Sequence, residues 1–259
     1  MRKALANGGG NSLYNLDIPM VKDLQPDVVL TQSLCDVCSI DLVTVERVIM
    51  EMKSPARVLD LNPKTLGEIL LDITRIGEVI GCEEGALAVT TQLAARIERV
   101  KKKMMRQLKK IPNVSFFEWT DPVFVGGHWT PEMIILAGGT HPLNPPGKKS
   151  TGVLDESITQ SDPDMIIIAP CGMNLAKTRQ LVEIMERDPK RGEWFRALRA
   201  FQCKKVVLVD GNEMFNRPGP RLVDALEFCA ALTDAYQSLS EIQPFETSQV
   251  PFDFPWSPL

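Results

Sequence analysis

The sequence predicts an α/β protein of two lobes joined by a long helix, with the first lobe incomplete. Two observations predict it. Short apolar runs alternate with helical patterns along the chain, as in proteins that cover a parallel sheet with helices. A proline-free helical pattern of almost thirty residues then separates two groups of strand candidates. With 259 residues, the chain is long enough to bury a substantial core.

Five strand candidates follow from near-continuous apolar runs, which are typical of strands covered on both faces. Two of them precede the long helical pattern and three follow it. They are Asp27–Thr31, Arg57–Leu61, Asn113–Glu118, Met165–Ala169 and Lys205–Asp210.

The helical patterns come next. A helix is predicted over Thr65–Ile80, ended by Gly81, and a long one over Glu83–Lys110, ended by Ile111-Pro112. The long helix would span about 40 Å at 1.5 Å per residue. A coiled coil is the alternative, but its apolar positions keep no clean heptad. Further helices are predicted over Leu175–Arg187 and Arg221–Ser238.

These elements divide the chain into four predicted parts. Residues 1–82 form a partial N-terminal lobe, residues 83–112 a linking helix, and residues 113–242 a C-terminal lobe. The tail, residues 243–259, is rich in proline and aromatic residues, so we expect an extended segment packed on a surface, or disorder. Two parallel strands alone would leave the first lobe with exposed edges.

Charge and composition exclude several functional classes. A net charge of −4 and a pI near 5.4 argue against a nucleic-acid or anionic-membrane surface. No apolar stretch reaches the ~18 residues of a membrane span, and the start shows no secretory h-region. The sequence therefore predicts a cytoplasmic location by default, with its six cysteines reduced.

Five blocks carry a resemblance to a known family. In chain order they read "LQPDVVLTQSLCDVCSI", "NPKTLGEILLDITRIGEVIG", "FFEWTDPVFVGGHWTPEMIILAGG", "SDPDMIIIAPCGMNL" and "DGNEMFNRPGPRLVDALE". They resemble the cobalamin/iron-siderophore type of periplasmic substrate-binding protein, in its helical-backbone class and cobalamin-binding-like subgroup. The resemblance implies two Rossmann-like lobes bridged by one long helix, with a metal-chelate ligand in the cleft and a membrane permease as partner. It also implies N-terminal truncation, because family members begin with a further strand and helix.

Candidate site residues follow from the rule that open α/β sheets bind ligands beyond the carboxyl ends of their strands. Four loops satisfy it: Gln32–Cys38, the loop "WTDPVFVGGHW", the loop "PCGMN" and the loop "GNEMFNRPGPR". The candidate ligand-binding residues in and beside these loops are Gln32, Cys35, Cys38, Glu118, Trp119, His128, Trp129, Cys171, Asn216 and Arg217.

The Cys35-x-x-Cys38 pair has three interpretations. It is half of a metal site, a redox pair beside a helix that begins near Asp41, or two small side chains packed at a lobe edge. If the lobes close as the resemblance implies, Cys171 faces this pair across the cleft. Cys35, Cys38, His128 and Cys171 would then form a soft-metal set for zinc or iron.

His128 lies between two glycines and Trp129, where the backbone can approach a ligand closely. An imidazole beside an indole suits a flat tetrapyrrole or an axial metal position, and a loop-stabilising histidine is the alternative. Trp119 and Trp129 either stack on such a ligand or belong to the core. Arg217 can reach an anionic group, whereas Arg221 is expected in an ion pair within the lobe.

The sequence thus predicts a ligand-binding protein for cobalamin, another corrinoid or heme, with no cofactor required. The alternatives are a thiol-based metal or redox protein on the same fold, and a truncated interaction module without a ligand. No phosphate loop, Gly-x-Ser-x-Gly or His-Glu-x-x-His motif is present, so no enzyme is predicted.

Overall fold

The computed structural model describes residues 16–34, 40, 42–107, 109–240, 243–246, 250 and 255–259. These residues form two compact units. The first unit consists of the chain up to Pro63 together with Leu71–Ala88. The second unit consists of Lys64–Leu70 and Val89–Leu259. No helix in the described part of the chain is both long enough and apolar enough to cross a bilayer.

The first unit contains a two-stranded parallel sheet, with β1 (Val28–Thr31) paired to β2 (Arg57–Asp60). Both predicted strands are therefore present. A small core of Val45, Ile49 and Met52 packs near this sheet. The first four helices of the described chain are α1 (Ile18–Leu24), α2 (Leu42–Met50), α3 (Leu66–Ile80) and α4 (Glu83–Gln107), of which α3 and α4 each have residues in both units. Helix α1 was not predicted.

Helices α3 and α4 match the two predicted patterns closely. Gly81 follows α3 with φ of +71°, a conformation that suits glycine after a helix. The chain ends α4 at Gln107 instead of Lys110. Within the second unit, Arg96 of α4 forms ion pairs with Asp224 at 2.5 Å and Glu227 at 2.7 Å.

The second unit contains a six-stranded sheet in the order β5-β4-β3-β6-β7-β8. The central strands β3, β6 and β7 are parallel, and β4, β5 and β8 pair antiparallel to their neighbours. The strands are β3 (Val114–Thr120), β4 (Val123–Val125), β5 (Thr151–Gly152), β6 (Met165–Ile168), β7 (Val206–Val209) and β8 (Trp256–Pro258).

The tail is extended where the structure describes it, since β8 lies antiparallel to β7. Phe245, Val250 and Trp256 are all buried. The β6 and β7 strands are buried at every position, as their unbroken apolar runs predict.

Six helices complete the second unit. Asn174 caps α7 by accepting a hydrogen bond from the Lys177 amide at 3.0 Å. The α7 pattern was predicted with the bounds that the structure shows, whereas α5, α6, α8 and α9 were not predicted. The helices are α5 (Thr130–Leu136), α6 (Asp155–Ser161), α7 (Leu175–Arg187), α8 (Pro189–Ala197), α9 (Arg199–Gln202) and α10 (Leu222–Ser238).

Candidate functional site

The second unit brings three predicted loops to one edge of its sheet. Strands β3, β6 and β7 run parallel, so their carboxyl ends meet there. We call this edge the strand-end surface and define it by six predicted residues: Glu118, Trp119, His128, Cys171, Asn216 and Arg217.

Hydrogen bonds link the loops after β3, β6 and β7. The Cys171 amide donates to the Glu118 carbonyl at 3.3 Å, which joins the β6 loop to the end of β3. The Asn216 side chain donates to the carbonyls of Ala169 and Gly211, both at 2.9 Å. The β7 loop is thereby joined to the end of β6.

Two further hydrogen bonds close these contacts into a ring. The Trp129 indole donates to the Phe215 carbonyl at 2.7 Å, in a buried position. The Gly127 amide donates to Glu118 Oε1 at 3.3 Å. The glycine-rich loop, residues 126–129, is therefore bonded both to the β7 loop and to the end of β3. Together with the β6 loop, these segments form one connected framework.

His128 occupies an unusual position on this surface. Its φ is +51°, in the left-handed region that few non-glycine residues adopt. The side chain is half-buried beside Trp129, with ring centroids 5.6 Å apart. Burial lowers the pKa of the imidazole, and the positive charges of Lys149 and Lys64 lower it further. The imidazole is therefore neutral at neutral pH, with an electron pair available for a metal ion.

Glu118 is the acidic residue of this surface, and both of its carboxylate oxygens accept hydrogen bonds from within the protein. Oε1 accepts from Gly127, and Oε2 accepts from the Ser150 hydroxyl. Burial raises the pKa of this carboxyl group, and the two hydrogen bonds oppose that rise. Direct contact between Glu118 and a ligand stays a prediction.

The two tryptophans have different environments. Trp129 is 6% exposed and its N–H is bonded inside the protein, so its environment agrees with the core alternative. Trp119 is only partly buried, and its N–H donates to the Asp121 carbonyl at 3.2 Å. Trp119 is therefore the more exposed of the two indoles, and stacking on a ligand stays a prediction for both.

Cys171 is exposed and precedes Gly172, whose φ of +73° forms the predicted turn. The other two thiols of the predicted soft-metal set, Cys35 and Cys38, lie outside the described residues. Among the residues that the structure describes, no three His, Cys, Asp or Glu side chains lie close enough together to hold a metal ion. The four-residue metal set thus stays a prediction.

The two arginines of the β7 loop have separate partners. Arg217 is exposed and donates to Asn212 Oδ1 at 2.6 Å. Arg221 pairs with Glu213 at 3.4 Å, which is the ion pair within the lobe that the sequence predicts. Arg217 is therefore the one of the two that remains a candidate for a ligand anion. His141, by contrast, is buried and bonded to the Val114 carbonyl at 2.8 Å.

The first unit carries a polar network that the sequence did not predict. Ser33 donates from its amide to Asn62 Oδ1 and from its hydroxyl to Asp60 Oδ2, both at 2.7 Å. Asn62 donates back to Ser33 Oγ at 2.9 Å and also to Asp60. The three residues follow or end β1 and β2, so the strand-end rule could have found them. Nearby Gln32 is exposed.

Parallel central strands with hydrogen-bonded loops at their carboxyl ends are typical of α/β proteins that bind ligands at that edge. A family model described as periplasmic binding protein matches residues 13–212. The chain belongs to this family. A search of curated proteins gave no match.

Solved structures similar to this chain share its fold at low sequence identity. An ABC transporter substrate-binding protein from Listeria monocytogenes EGD-e is 18% identical, with a TM-score of 0.69, covering 83% of this chain and 80% of its own. The periplasmic vitamin B12 binding protein BtuF of Vibrio cholerae is 18% identical, with a TM-score of 0.65 and coverages of 87% and 80%. A periplasmic heme-binding protein from Pseudomonas aeruginosa is also 18% identical, with a TM-score of 0.68 and coverages of 89% and 79%.

These comparisons confirm the predicted fold class and the predicted resemblance to substrate-binding components of ABC transporters. Of the similar solved structures, one is described as a vitamin B12 binding protein and another as a heme-binding protein. The predicted cytoplasmic location is wrong, because membership of the periplasmic binding protein family points to a location outside the cytoplasm. The absence of a visible h-region was a poor guide to location.

Proposed function

We propose that this protein binds a metal-containing tetrapyrrole, either a corrinoid or heme, at the strand-end surface of its second unit. The observation that carries the proposal is His128, a half-buried histidine on a bonded loop with a lowered pKa. A neutral imidazole is the usual protein ligand for heme iron and binds the metal through its free nitrogen.

The surroundings of His128 suit a large planar ligand with acidic side groups. Trp119 offers an indole face, and aromatic stacking contributes about 0.5–1.5 kcal/mol beyond area burial. Lys149 and Lys64 are close enough to His128 for their charges to lower its pKa. Together with the exposed Arg217, they provide positive charge for propionate or carboxylate groups.

The proposed role is delivery of an intact ligand and not catalysis. A transport function requires that the ligand be released unchanged, and a permease in the membrane is then the natural partner. The similarity to B12-binding and heme-binding proteins supports both classes of ligand equally.

A thiol metal site is the second candidate, because Cys171 is exposed at the same edge of the sheet. Thiolates prefer zinc and iron among the common metals. This candidate requires metal in the purified, reduced protein without any added tetrapyrrole. Elemental analysis therefore separates the two proposals.

The test is a visible-light titration of the reduced full chain with hemin, aquocobalamin and cyanocobalamin. The water ligand of aquocobalamin can be replaced by an imidazole, whereas cyanide in cyanocobalamin blocks that position. We expect a saturable shift with hemin or aquocobalamin that His128→Asn weakens about tenfold or more, the loss of one strong bond. Asparagine is the matched replacement because it tolerates a positive φ. No shift with any of the three would refute the proposal.

A further inference from the structure

Two segments of the second unit, residues 126–128 and residues 147–150, lie close together. The His128 amide donates to the Lys148 carbonyl at 2.6 Å, and the Gly147 amide donates to the His128 carbonyl at 2.9 Å. A Cβ on Gly127 would lie 2.2 Å from the Ser150 amide nitrogen and 2.6 Å from the Lys148 carbonyl oxygen. Only glycine fits at position 127, because a larger side chain would force the two segments apart. Such a separation would move His128, which is bonded to Lys148 and Gly147.

Glu118 is the side chain that spans the two segments. One carboxylate oxygen accepts from the Gly127 amide at 3.3 Å, and the other accepts from the Ser150 hydroxyl. Gly127 directly precedes His128, and Ser150 follows the Lys148–Lys149 pair. A single carboxylate at the end of β3 thus bonds both segments.

Asn144 braces the same segments independently. Its side-chain amide, with the residue 4% exposed, donates to the carbonyls of Gly126 at 3.1 Å and Lys149 at 3.0 Å. The two segments therefore stay together when one brace is removed. Variants of Glu118 are expected to fold, and their effect would be a local loosening.

We propose that Glu118 is a positioning residue that fixes the backbone of His128, and that it does not contact the ligand. The geometry points to this because both carboxylate oxygens are already bonded inside the protein. The sequence had suggested a direct contact instead. The inference rests on the proposed function, since it assumes that His128 binds the metal of the ligand.

The proposal also explains the placement of Lys149. Because Ser150 is tied to Glu118, the neighbouring Lys149 is held where its charge reaches His128. Loosening Ser150 would admit water and weaken that charge effect. The pKa of His128 would then rise toward the ordinary value for histidine.

The variants Glu118→Gln and Ser150→Ala test whether the hydrogen bonds of Glu118 hold the two segments together. A glutamine keeps one acceptor oxygen for the Gly127 amide, and its NH2 can donate to the Ser150 hydroxyl, so both contacts lose the charge of the carboxylate and become neutral hydrogen bonds. Ser150→Ala removes one bond and leaves the carboxylate. Glu193→Gln is the matched control, because Glu193 is exposed on α8 and is not one of the residues of the strand-end surface.

The main readouts need no ligand. The chain has two histidines, so the NMR signals of His128 can be followed with little overlap. In Glu118→Gln we expect amide exchange at Gly127 to accelerate about tenfold, because its hydrogen bond loses a charged acceptor. The pKa of His128 should rise, and the affinity for hemin should fall about fivefold to tenfold. Ser150→Ala should give a smaller change in the same direction.

Two results would overturn the proposal. Unchanged Gly127 exchange and His128 titration in Glu118→Gln would mean that the carboxylate does not position the loop. A large loss of hemin affinity with both NMR readouts unchanged would mean that Glu118 contacts the ligand directly. If the wild-type protein binds no hemin, the proposed function fails for heme, yet the two NMR readouts still decide the role of Glu118.

Discussion

The two units hold their strand ends in different ways. In the first unit, the core cluster consists of Val45, Ile49 and Met52, each between 4% and 7% exposed, beside a pair of parallel strands. In the second unit, strands β6 and β7 are buried at every position within a six-stranded sheet. The second unit thus has far more packed structure behind its loops.

This difference teaches where a well-defined binding surface can be built. Tightly packed interiors transmit strain and keep attached side chains in place. In the second unit, the loops are bonded to one another and to buried strands, so His128 can be kept in a left-handed conformation. In the first unit, three polar side chains, Ser33, Asp60 and Asn62, hold the strand ends.

The largest expected effect comes from matched core truncations. Ile166→Ala in β6 removes a side chain that is fully buried, whereas Ile49→Ala removes one in the small cluster. We expect a loss near the upper end of the usual range of about 2–5 kcal/mol for Ile166 and near the lower end for Ile49.

Chemical denaturation measures both losses. All four tryptophans lie in the second unit, so their fluorescence follows that unit, while far-ultraviolet circular dichroism follows both. Equal losses for the two variants would remove the contrast between the units.

The next effect is a pH dependence of hemin affinity. The pKa of His128 is lowered, so its neutral form predominates at neutral pH and half of the imidazole is protonated only at a pH below the ordinary pKa of 6.5. Affinity should therefore be constant from pH 8 to 7 and should fall at lower pH. Below the pKa of His128, each pH unit should weaken binding by about tenfold. Spectroscopic titration across this range measures the fall.

His128→Asn is the control for that pH dependence. The variant retains Glu118, whose raised pKa also changes the charge of the loop in acid. Subtracting its profile from the wild-type profile isolates the imidazole. A fall that persists undiminished in His128→Asn would assign the pH dependence to another group.

A third prediction compares the two tryptophans of the glycine-rich region. Trp129→Phe leaves the buried Phe215 carbonyl without its donor, which should cost about 1–3 kcal/mol of unfolding free energy. Trp119→Phe removes an exposed hydrogen bond to Asp121 and should cost under about 0.5 kcal/mol. Thermal unfolding of the two variants gives the ranking, and a reversed order would contradict the ring of hydrogen bonds.

A smaller effect than that of Trp129→Phe is expected in the first unit. Ser33→Ala removes the hydroxyl that bonds to Asp60 and Asn62 but keeps the backbone bond to Asn62. We expect a loss of about 0.5–1.5 kcal/mol. Circular dichroism should register this loss, whereas tryptophan fluorescence should remain unchanged. A shift in fluorescence of similar size would mean that the two units do not unfold separately.

Much of the fold could be predicted because it is encoded locally. The unbroken apolar runs of β6 and β7 and the cap and periodicity of α7 each lie within one short window. Strand β8 could not be fixed in this way, because Trp256–Pro258 becomes a strand only by pairing with β7, almost fifty residues earlier. The two-residue β5 is too short for any pattern to show.

The sequence could predict which loops lie at the edge of the candidate site, but not the hydrogen bonds between them. The strand-end rule placed Glu118, Cys171 and Asn216 at one edge, and the structure bonds their segments together. The rule could not show that Glu118 accepts from Ser150, thirty-two positions later, because that contact depends on how the intervening chain folds back. It also missed Asp60 and Asn62, since ordinary polar residues at a strand end carry no distinctive spacing.

The most direct test of the account is a paramagnetic NMR titration of the reduced full chain with hemin. Ferric iron broadens protons near it, and the two histidines serve as probe and reference. If the strand-end surface binds the ligand, the His128 signals should disappear at a lower hemin concentration than those of His141. Retention of the His128 signals at saturating hemin, or earlier loss of the His141 signals, would contradict the claim that His128 is at the centre of the binding site.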